Sequence, residues 1–270
     1  SIDIGSSQVV SLNLPGIAIR HDNWNEKVFE YLDLTLDFLS WHREFLKKHF
    51  HLDKLWGLGF RNFNRLLSTV GIIGLWDFKE ITGISWEELL NLMYRIQAHI
   101  KQKASYFNLE LVPAETAASA LFDRDKKISK HPHYSRVGMY SNQIVAPWSD
   151  ISFPNRVSIS SLFSGIFDGG QMMFIPIASR FDNPNQMKTI IEGMVEYNIP
   201  YFCFDTFLNR CPENHVSQGN YSKCPICGST VRKFRRVVGY FVEYSRTHDR
   251  KDRDIPLRKP LQGLSLNQVI

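Results

Sequence analysis

The chain has 270 residues and an ordinary globular composition, with 43% apolar and 22% charged residues. Its length allows one large domain, or one domain with a small appendage. No apolar run approaches the roughly 18 residues of a membrane helix, and the polar start lacks the basic-then-apolar order of a signal peptide. The composition therefore excludes a membrane protein and predicts a soluble, cytoplasmic one.

The net charge of +5 is concentrated near one end of the sequence. Residues 232–259 hold ten Lys and Arg residues and four acidic ones, an excess of six positive charges, so the rest of the chain is close to neutral. We expect any polyanionic partner to contact this segment, although a solvated basic tail has the same composition.

Short strands and long helices alternate along the sequence. Alternation of apolar and polar residues predicts one strand over 8–18, which ends at Pro15-Gly16, and another over 107–116, which turns at Pro113. Residues 66–78 are predicted to form a strand or a turn and contain two glycines. Apolar residues spaced about 3.6 positions apart predict a helix over 25–50. Residues suited to an N-cap predict two more helices, from Ser85 to about 103 and over 183–198. A turn with glycines at 169 and 170 precedes a short buried strand, and residues 199–207 are another strand. The pattern is typical of an α/β fold.

The four cysteines lie within 25 positions of one another, at Cys203, Cys211, Cys224 and Cys227. In an intracellular chain this clustering favours metal ligands over disulfides. The two-residue gap in Cys224-Pro-Ile-Cys227 lets both thiolates reach one tetrahedral zinc ion at about 2.3 Å. Cys211 is the natural third ligand.

The fourth ligand is less obvious, because Asn214 stands where a second C-x-x-C pair would place its cysteine. We choose the neighbouring His215, since neutral imidazole is a good zinc ligand. Cys203, a site that has lost its metal, and unmetallated surface cysteines are the alternatives. With four protein ligands the zinc is expected to be structural and to brace the segment that follows.

A single glycine, Gly239, follows this cluster within "KFRRVVGYFVEY" (233–244). Glycine can carry a carbon-centred radical at Cα, because without Cβ the centre flattens and the electron spreads over both neighbouring peptide groups. A bulge or turn glycine is the simpler local interpretation.

The order of motifs along the chain favours Gly239 as a radical carrier over a bulge or turn glycine. Residues 236–240, "RVVGY", resemble the glycyl radical motif, and their place after the cysteine cluster resembles the C-terminus of class III anaerobic ribonucleoside-triphosphate reductases. Five earlier segments are similar to that family's stretches in the same order: "VSLNLPGIA" (10–18) to "NLPRIA", "STVGIIGLWD" (68–77) to "GxxGLxE", "LVPAET" (111–116) to "TPAE", "MYSNQ" (139–143) to "YTNS", and "DGGQ" (168–171) to "TGGH". The sequence departs from the family at Gly16, Gln171, Val145 and Asn214.

The resemblance implies the C-terminal half of a ten-stranded α/β barrel of glycyl radical enzyme type, with a small zinc-binding module and a C-terminal glycyl radical loop. The implied boundaries are 1–209 for the half-barrel, 210–232 for the zinc module, 233–248 for the radical loop and 249–270 for a basic tail. In the family the thiyl-radical cysteine and the regulatory sites come earlier in the sequence. The chain thus resembles a split subunit or a spliced piece, inactive without an N-terminal half.

The implied activity is the oxygen-sensitive conversion of ribonucleoside triphosphates to deoxyribonucleoside triphosphates. A separate radical-SAM activase, which carries S-adenosylmethionine and a 4Fe-4S cluster, would generate the radical on Gly239. The radical would pass its oxidation to a cysteine on the N-terminal half, which takes the ribose 3′-hydrogen so that the 2′-hydroxyl can leave. Formate or a thiol would supply electrons, and the complete enzyme would be a homodimer.

The resemblance also assigns residues. Gly239 is the radical carrier, and the zinc ligands are Cys211, His215, Cys224 and Cys227. The expected substrate-binding residues at the barrel mouth are Pro113, Ala114, Glu115, Asn142, Gly169 and Gly170. Glu115 is equally explained as a carboxylate at a helix N-terminus, and Arg235 and Arg236 as surface charges or as groups that orient the radical loop or contact the activase.

Three alternatives stay open. A nucleic-acid-binding zinc ribbon would use the basic segment and its aromatic residues for stacking, namely Phe234, Tyr240, Phe241 and Tyr244. A glycyl radical enzyme could act on a non-nucleotide substrate. A degenerate relative would only assemble with other subunits.

Overall fold

The computed structural model describes residues 5–60, 62–177, 181, 183–237, 240–244, 253 and 255–261. The chain divides into two compact units, which are considered one at a time. The first unit comprises Ser1–Val112 and Gly165–Gln171, and the second comprises Pro113–Ser164 and Met172–Ile270.

The first unit is built on a parallel three-stranded sheet with the order β1-β2-β3. Its strands are β1 (Gly5–Asn13), β2 (Leu66–Ile73) and β3 (Phe107–Leu111). The helices are α1 (Leu14–Ala18), α2 (Trp24–His49), α3 (Lys54–Gly57), α4 (Leu75–Thr82) and α5 (Trp86–Lys103). Strands alternating with helices give the βαβ order that parallel pairing requires.

The first unit is stabilised by apolar residues that recur at helical or strand spacing and are buried. The last six residues of β2 are all buried, as expected for a strand covered on both faces. Helix α5 buries Leu89, Leu92, Met93, Ile96 and Ile100. It begins with a capping box, in which the Ser85 hydroxyl accepts from the Glu88 N–H at 3.1 Å and the Ser85 N–H donates to the Glu88 carboxylate at 2.8 Å.

The second unit contains two sheets. Strands β4 (Met173–Pro176) and β5 (Phe202–Asp205) pair in parallel. Strands β6 (Leu208–Arg210), β7 (Val216–Gln218), β8 (Arg232–Val237) and β9 (Tyr240–Glu243) form an antiparallel sheet in the order β7-β6-β8-β9. The helices are α6 (Glu115–Lys126), α7 (His133–Arg136), α8 (Phe153–Phe163) and α9 (Pro184–Glu196). One apolar core packs α8 and α9 against β4, through residues such as Val157, Ile175 and Ile190.

The α/β class predicted from the sequence is confirmed. The predicted helices correspond to α2, α5 and α9, with Ser85 and Asn183 as N-caps. The first strand ends earlier than predicted, at Asn13, because the Asn13 side chain accepts from the Gly16 N–H at 3.3 Å and starts α1. The size of the barrel and the domain boundaries stay predictions. Among the described residues, no helix combines the length and apolar character needed to cross a membrane.

Candidate functional site

Four side chains predicted as metal ligands lie together in the second unit. Ligand atoms of Cys211, His215, Cys224 and Cys227 are all within 4.8 Å of one another. The His215 Nδ1 atom is 3.5 Å from Cys211 Sγ and 3.8 Å from Cys224 Sγ, and the Cys211 and Cys227 Sγ atoms are 3.7 Å apart. The histidine is therefore placed as a fourth donor beside three sulfurs.

A tight turn after β6 brings His215 into this cluster. The Asn214 N–H donates to the Cys211 carbonyl at 3.0 Å, and the Cys211 N–H donates to the His215 carbonyl at 3.2 Å. Asn214 itself has a left-handed backbone, with φ of +62°, a conformation that asparagine tolerates better than most residues. Its side-chain oxygen accepts from the Arg210 guanidinium at 3.0 and 2.7 Å. Asn214 thus shapes the turn, and His215 supplies the donor.

The second turn carries the other two sulfurs in a knuckle. The Cys224 N–H donates to the Ser229 carbonyl at 2.8 Å, and the Gly228 N–H donates to the Cys224 carbonyl at 2.9 Å. Gly228 has φ of +75°, which glycine adopts without penalty. The Ile226 N–H donates to Cys224 Sγ at 3.4 Å. This backbone donor stabilises negative charge on the sulfur, as a thiolate ligand requires.

Three of the six separations between the ligand atoms have the values expected for a tetrahedral zinc site. Zinc bonds of about 2.3 Å to sulfur and about 2.0 Å to nitrogen give ligand-to-ligand separations of about 3.5 to 3.8 Å. These three run from 3.5 to 3.8 Å, and all six are within 4.8 Å. Hydrogen bonds from Ser229 lower the pKa of the Cys227 thiol to about 6, whereas burial raises the pKa of Cys211. The donor set and the spacing fit a metal ion such as zinc.

Cys203 lies outside this cluster. It belongs to β5, where it pairs with Phe174 of β4. Burial raises the pKa of its thiol to about 12, so it is protonated at neutral pH.

Strand β8 leads from the metal cluster toward the predicted radical residue. It pairs with β6 on one side and with β9 on the other, where Arg236 lies opposite Phe241 and Val237 opposite Tyr240. In the sequence, Val238 and Gly239 are the two residues between β8 and β9, and both lie outside the described residues. The Gly239 assignment therefore stays a prediction.

A buried carboxylate binds two arginines near these strands. Asp205, the last residue of β5, accepts from Arg235 Nε at 3.1 Å and Nη2 at 2.7 Å, and from Arg258 Nη1 at 2.6 Å. Arg258 stacks over the Phe174 ring at 4.5 Å. Burial alone would raise the pKa of Asp205, but the two guanidiniums outweigh it and hold that pKa below its usual value. The ion pairs join β5 to β8 and to residue 258, on both sides of Gly239 in sequence.

The loop before α6 meets Asn142. When its oxygen faces the donors, the Asn142 amide accepts from the N–H groups of Ala114 and Glu115, each at 3.3 Å. Pro113 and Ala114 are half-buried, and the Glu115 side chain is buried in the first turn of α6. A carboxylate there is favoured by the helix dipole. The contact brings three predicted substrate-binding residues together, and the structure also gives them a helix-starting role.

The glycine pair at 169 and 170 lies in the first unit, beside β3. The Gly169 N–H donates to the Leu109 carbonyl at 2.8 Å, and the Leu111 N–H donates to the Gly170 carbonyl at 3.0 Å. Gly170 has φ of +118°, and a Cβ on Gly169 would lie 2.9 Å from the Leu109 carbonyl oxygen. These contacts explain why glycines stand here, and the substrate role of the pair stays a prediction.

The Asp205 pairs were missed by the sequence reasoning. The sequence suggests that Arg235 is a surface charge or an orienting group and that Arg258 belongs to a basic tail, yet both are buried. An aspartate at the end of an apolar strand, "YFCFD", followed by an arginine-rich segment, is the one available signal.

Two comparisons, with family models and with solved structures, show which known proteins the chain resembles. The family model described as "Anaerobic ribonucleoside-triphosphate reductase" matches residues 1–260. A solved structure, "Anaerobic ribonucleotide reductase", is similar at 26% identity with a TM-score of 0.85, over 97% of this chain and 46% of that one. The Thermotoga maritima anaerobic ribonucleotide reductase in complex with dATP and CTP is similar at 26% identity with a TM-score of 0.78, over 90% of this chain and 43% of that one.

The Thermotoga maritima enzyme with MES in the active site gives a similar result, with 26% identity, a TM-score of 0.78, and coverage of 90% of this chain and 44% of that one. A comparison with curated proteins gives no match. The chain spans less than half the length of the solved structures that it resembles.

Proposed function

The chain belongs to the anaerobic ribonucleoside-triphosphate reductase family, and from this premise we propose that it is the part of such an oxidoreductase that carries the glycyl radical. The Cys211, His215, Cys224 and Cys227 cluster beside the base of the β8–β9 hairpin is the observation that supports the proposal most directly. A cytoplasmic location follows from the proposed role and stays a prediction.

We propose that the cluster holds one Zn²⁺. When bound, the ion supplies structural cross-linking, because four protein ligands leave no open position for substrate or water. The turn at 211–215 connects β6 to β7, and the knuckle at 224–229 lies between β7 and β8, so the ion would tie the β6–β7 hairpin to the segment that leads into β8. A small sheet with little apolar burial gains its stability from such a cross-link.

Gly239 is proposed as the radical carrier. Its sequence neighbours in β8 and β9 are paired, so the chain on either side of it is fixed by main-chain hydrogen bonds. The Asp205 ion pairs hold Arg235, four residues before Gly239, and Arg258, nineteen residues after it. These contacts would keep the radical segment in one position relative to β5.

The proposed reaction reduces ribonucleoside triphosphates to deoxyribonucleoside triphosphates, with formate or a thiol as electron donor. The residues proposed to face the nucleotide are Pro113, Ala114, Glu115, Asn142, Gly169 and Gly170. Asn142 already orients the loop at 113–115 through its backbone contacts, so its proposed contribution is to position that loop. A radical-SAM activase with S-adenosylmethionine and a 4Fe-4S cluster is the proposed source of the radical.

The remainder of the enzyme is proposed to lie on an N-terminal half that supplies the thiyl-radical cysteine. The chain covers 46% of the first similar structure, which leaves room for such a half. The complete assembly is proposed to be a homodimer, and the chain alone is proposed to be inactive.

The zinc-ribbon alternative is less well supported. Stacking on single-stranded nucleic acid needs exposed aromatic faces, yet Phe234 is half-buried and Tyr244 packs edge-on against Phe207, with ring centroids 5.4 Å apart. Of the aromatic residues considered for stacking, Phe241 is exposed, and its ring lies under the Arg236 guanidinium at 4.9 Å. A ribbon also leaves the family match over residues 1–260 unexplained.

The decisive experiment is electron paramagnetic resonance of the assembled enzyme. The chain is coexpressed with its N-terminal half and activase and activated without oxygen. We expect a doublet signal that disappears in Gly239→Ala. Gly165→Ala is the matched control, because a Cβ on Gly165 meets no atom within 4 Å. A doublet that survives Gly239→Ala, or no signal in the intact assembly, contradicts the proposal.

A further inference from the structure

Helix α2 has two apolar faces, and the first unit covers one of them. The inner face buries Val28, Leu32, Leu36 and Leu39, and the helix contacts β1 and β2. The outer face carries a stripe of large apolar side chains that are exposed. They follow the alternating spacing of three and four residues that is typical of a helix packed on a second helix. The members of this outer stripe are Tyr31, Leu34, Phe38, Trp41 and Phe45.

The outer stripe is continuous and extends past the end of α2. The Phe38 and Trp41 rings have centroids 5.6 Å apart, and the Trp41 and Phe45 rings have centroids 5.8 Å apart. The segment at 52–60 exposes five more large apolar side chains, namely Leu52, Leu55, Trp56, Leu58 and Phe60. Together the ten side chains are 39% to 70% exposed.

The area of this surface is that of an interface. A large aromatic side chain buries about 150 to 250 Å² when it is covered completely, so ten side chains that are about half exposed present on the order of 1,000 Å². The largest apolar patch on a typical monomer covers about 300 to 600 Å², whereas a standard interface buries about 800 Å² on each partner. Contact of so much apolar surface with water is unfavourable, and a partner that covers it is stabilised by its burial.

The charges beside the outer stripe match a second copy of the same helix. Glu30 and Lys48 are 18 positions apart, which is five helical turns, so both lie on the same edge of the stripe. Phe38 is within one residue of their midpoint. When two such helices pack antiparallel about a two-fold axis at Phe38, Glu30 of each copy faces Lys48 of the other. A two-fold interface requires this kind of self-complementarity.

The two charges are available for such contacts. Lys48 is exposed, and its ammonium has no acidic partner among the residues that the structure describes. Glu30 pairs with Lys27 at 2.5 Å, but both side chains are exposed, and such pairs contribute little to stability. The other acidic side chains in this part of α2, Asp33 and Asp37, already pair with residues of α5.

We propose that the outer stripe and the segment at 52–60 form the interface of a two-fold symmetric dimer of this chain, in which the two α2 helices pack antiparallel at Phe38. The dimer forms in the isolated chain and needs neither the N-terminal half nor activation. Its failure would therefore leave the radical proposal untouched, and absence of the radical would leave the dimer untouched.

Sedimentation velocity of the full chain, purified with zinc, tests the interface over about 1 to 100 µM. We expect a dimer that dissociates on dilution. Phe38→Glu places two like charges at the two-fold axis and should raise the dissociation constant of the dimer about thirtyfold or more, as for other residues at the centre of an interface. Val195→Glu is the matched control, because Val195 is an exposed apolar residue of α9, outside the stripe, and this variant should keep the dimer.

Charge reversal tests the antiparallel arrangement independently of folding. Glu30→Lys and Lys48→Glu should each weaken the dimer about threefold to tenfold, because each places like charges together at both ends of the interface. The double variant, Glu30→Lys with Lys48→Glu, should restore the wild-type dissociation constant. A general loss of folding would not be restored by a second substitution of this kind.

A monomer at about 100 µM, a dimer unchanged in Phe38→Glu, or a double variant that dimerises no more tightly than the single ones would overturn the proposal. Oligomers larger than a dimer would also overturn it, because a two-fold interface closes. If the chain is a monomer and hydrogen exchange of α2 slows when the N-terminal half is added, that half covers the stripe and the proposal is wrong.

Discussion

The parallel sheet β1–β3 and the antiparallel sheet β6–β9 are stabilised in opposite ways. The parallel sheet buries apolar residues such as Val70, Ile72 and Leu109. The antiparallel sheet buries polar residues, Asn209 and Arg235, and exposes apolar ones, Val216 and Phe241. The first sheet is therefore stabilised by the hydrophobic effect. The second depends on hydrogen bonds, ion pairs and the metal cluster.

Substitution of a metal ligand should have the largest effect, because it removes the metal that stabilises the antiparallel sheet. In Cys224→Ser one of the four donors is lost, and structural zinc binding is worth about 10 to 16 kcal/mol in small domains. We expect zinc content to fall from about one ion per chain to near zero, measured by mass spectrometry of the purified protein. Cys203→Ser, which changes a cysteine outside the cluster, should retain its zinc. Full zinc content in Cys224→Ser would argue against a four-ligand site.

The next largest effect is expected at the buried ion pairs. Asp205→Asn leaves the Arg235 and Arg258 guanidiniums without their shared counter-charge, and breaking a buried pair costs about 3 to 5 kcal/mol. Thermal unfolding should show a large fall in Tm. Glu192→Gln is the comparison, because it removes the partner of Lys188 in a pair whose side chains are 62% and 70% exposed, and such exposed pairs contribute little to stability. Equal effects of the two variants would show that burial does not matter here.

The same pair gives a pH dependence with a definite sign. The arginines hold the pKa of Asp205 below its usual 3.8. A lowered folded-state pKa gives stabilisation that is complete above the unfolded-state value and is lost as the pH falls through the folded-state value. The difference in Tm between the wild-type chain and Asp205→Asn should be constant near neutral pH and shrink below about pH 4. A difference that grows in acid would contradict the assignment.

A smaller effect is expected in the parallel sheet of the first unit. In Gly169→Ala the new Cβ would lie 2.9 Å from the Leu109 carbonyl oxygen, and such overpacking costs about 1 to 3 kcal/mol. Hydrogen exchange should increase in β3 and remain unchanged in β6–β9. Gly138→Ala, where a Cβ meets no atom within 4 Å, is the control. An unchanged β3 would remove the structural explanation of the glycine pair.

The smallest effect is expected at the start of α5. Ser85→Ala removes the hydroxyl that accepts from the Glu88 N–H, and loss of an N-cap costs about 1 kcal/mol. Thermal unfolding should show a modest fall in Tm with unchanged zinc content. Ser85→Asp, which restores an acceptor, should recover most of the loss. A fall in zinc content would mean that the two sheets do not depend on separate interactions.

The features predicted from the sequence are those that depend on neighbours along the chain. Helices α2, α5 and α9 have apolar residues at helical spacing or clear N-caps. Helix α8 was missed because it buries polar residues, Arg156 and Ser160, and lacks a clear apolar stripe. For helix α6 the sequence suggests only the start, a helix N-terminus at Glu115, because the helix also buries polar residues, Ser119 and Asp125.

The candidate site also has some residues that a local sequence pattern predicts and others that depend on tertiary packing. The ligands Cys224 and Cys227 are predictable from a local spacing, and His215 follows from the chemistry of zinc ligands, although the left-handed turn at Asn214 that places it is seen only in the structure. The Asp205–Arg258 pair joins residues that are 53 positions apart. Such a pair depends on tertiary packing, which no local pattern specifies.

Hydrogen exchange with and without zinc tests the central claim most directly, namely that a Cys/His metal site stabilises the sheet that leads to Gly239. Removal of the metal by a chelator should raise exchange throughout β6–β9 and leave β1–β3 protected, and added zinc should restore the first pattern. Unchanged protection of β6–β9 in the metal-free chain, or equal loss in both sheets, would contradict the account.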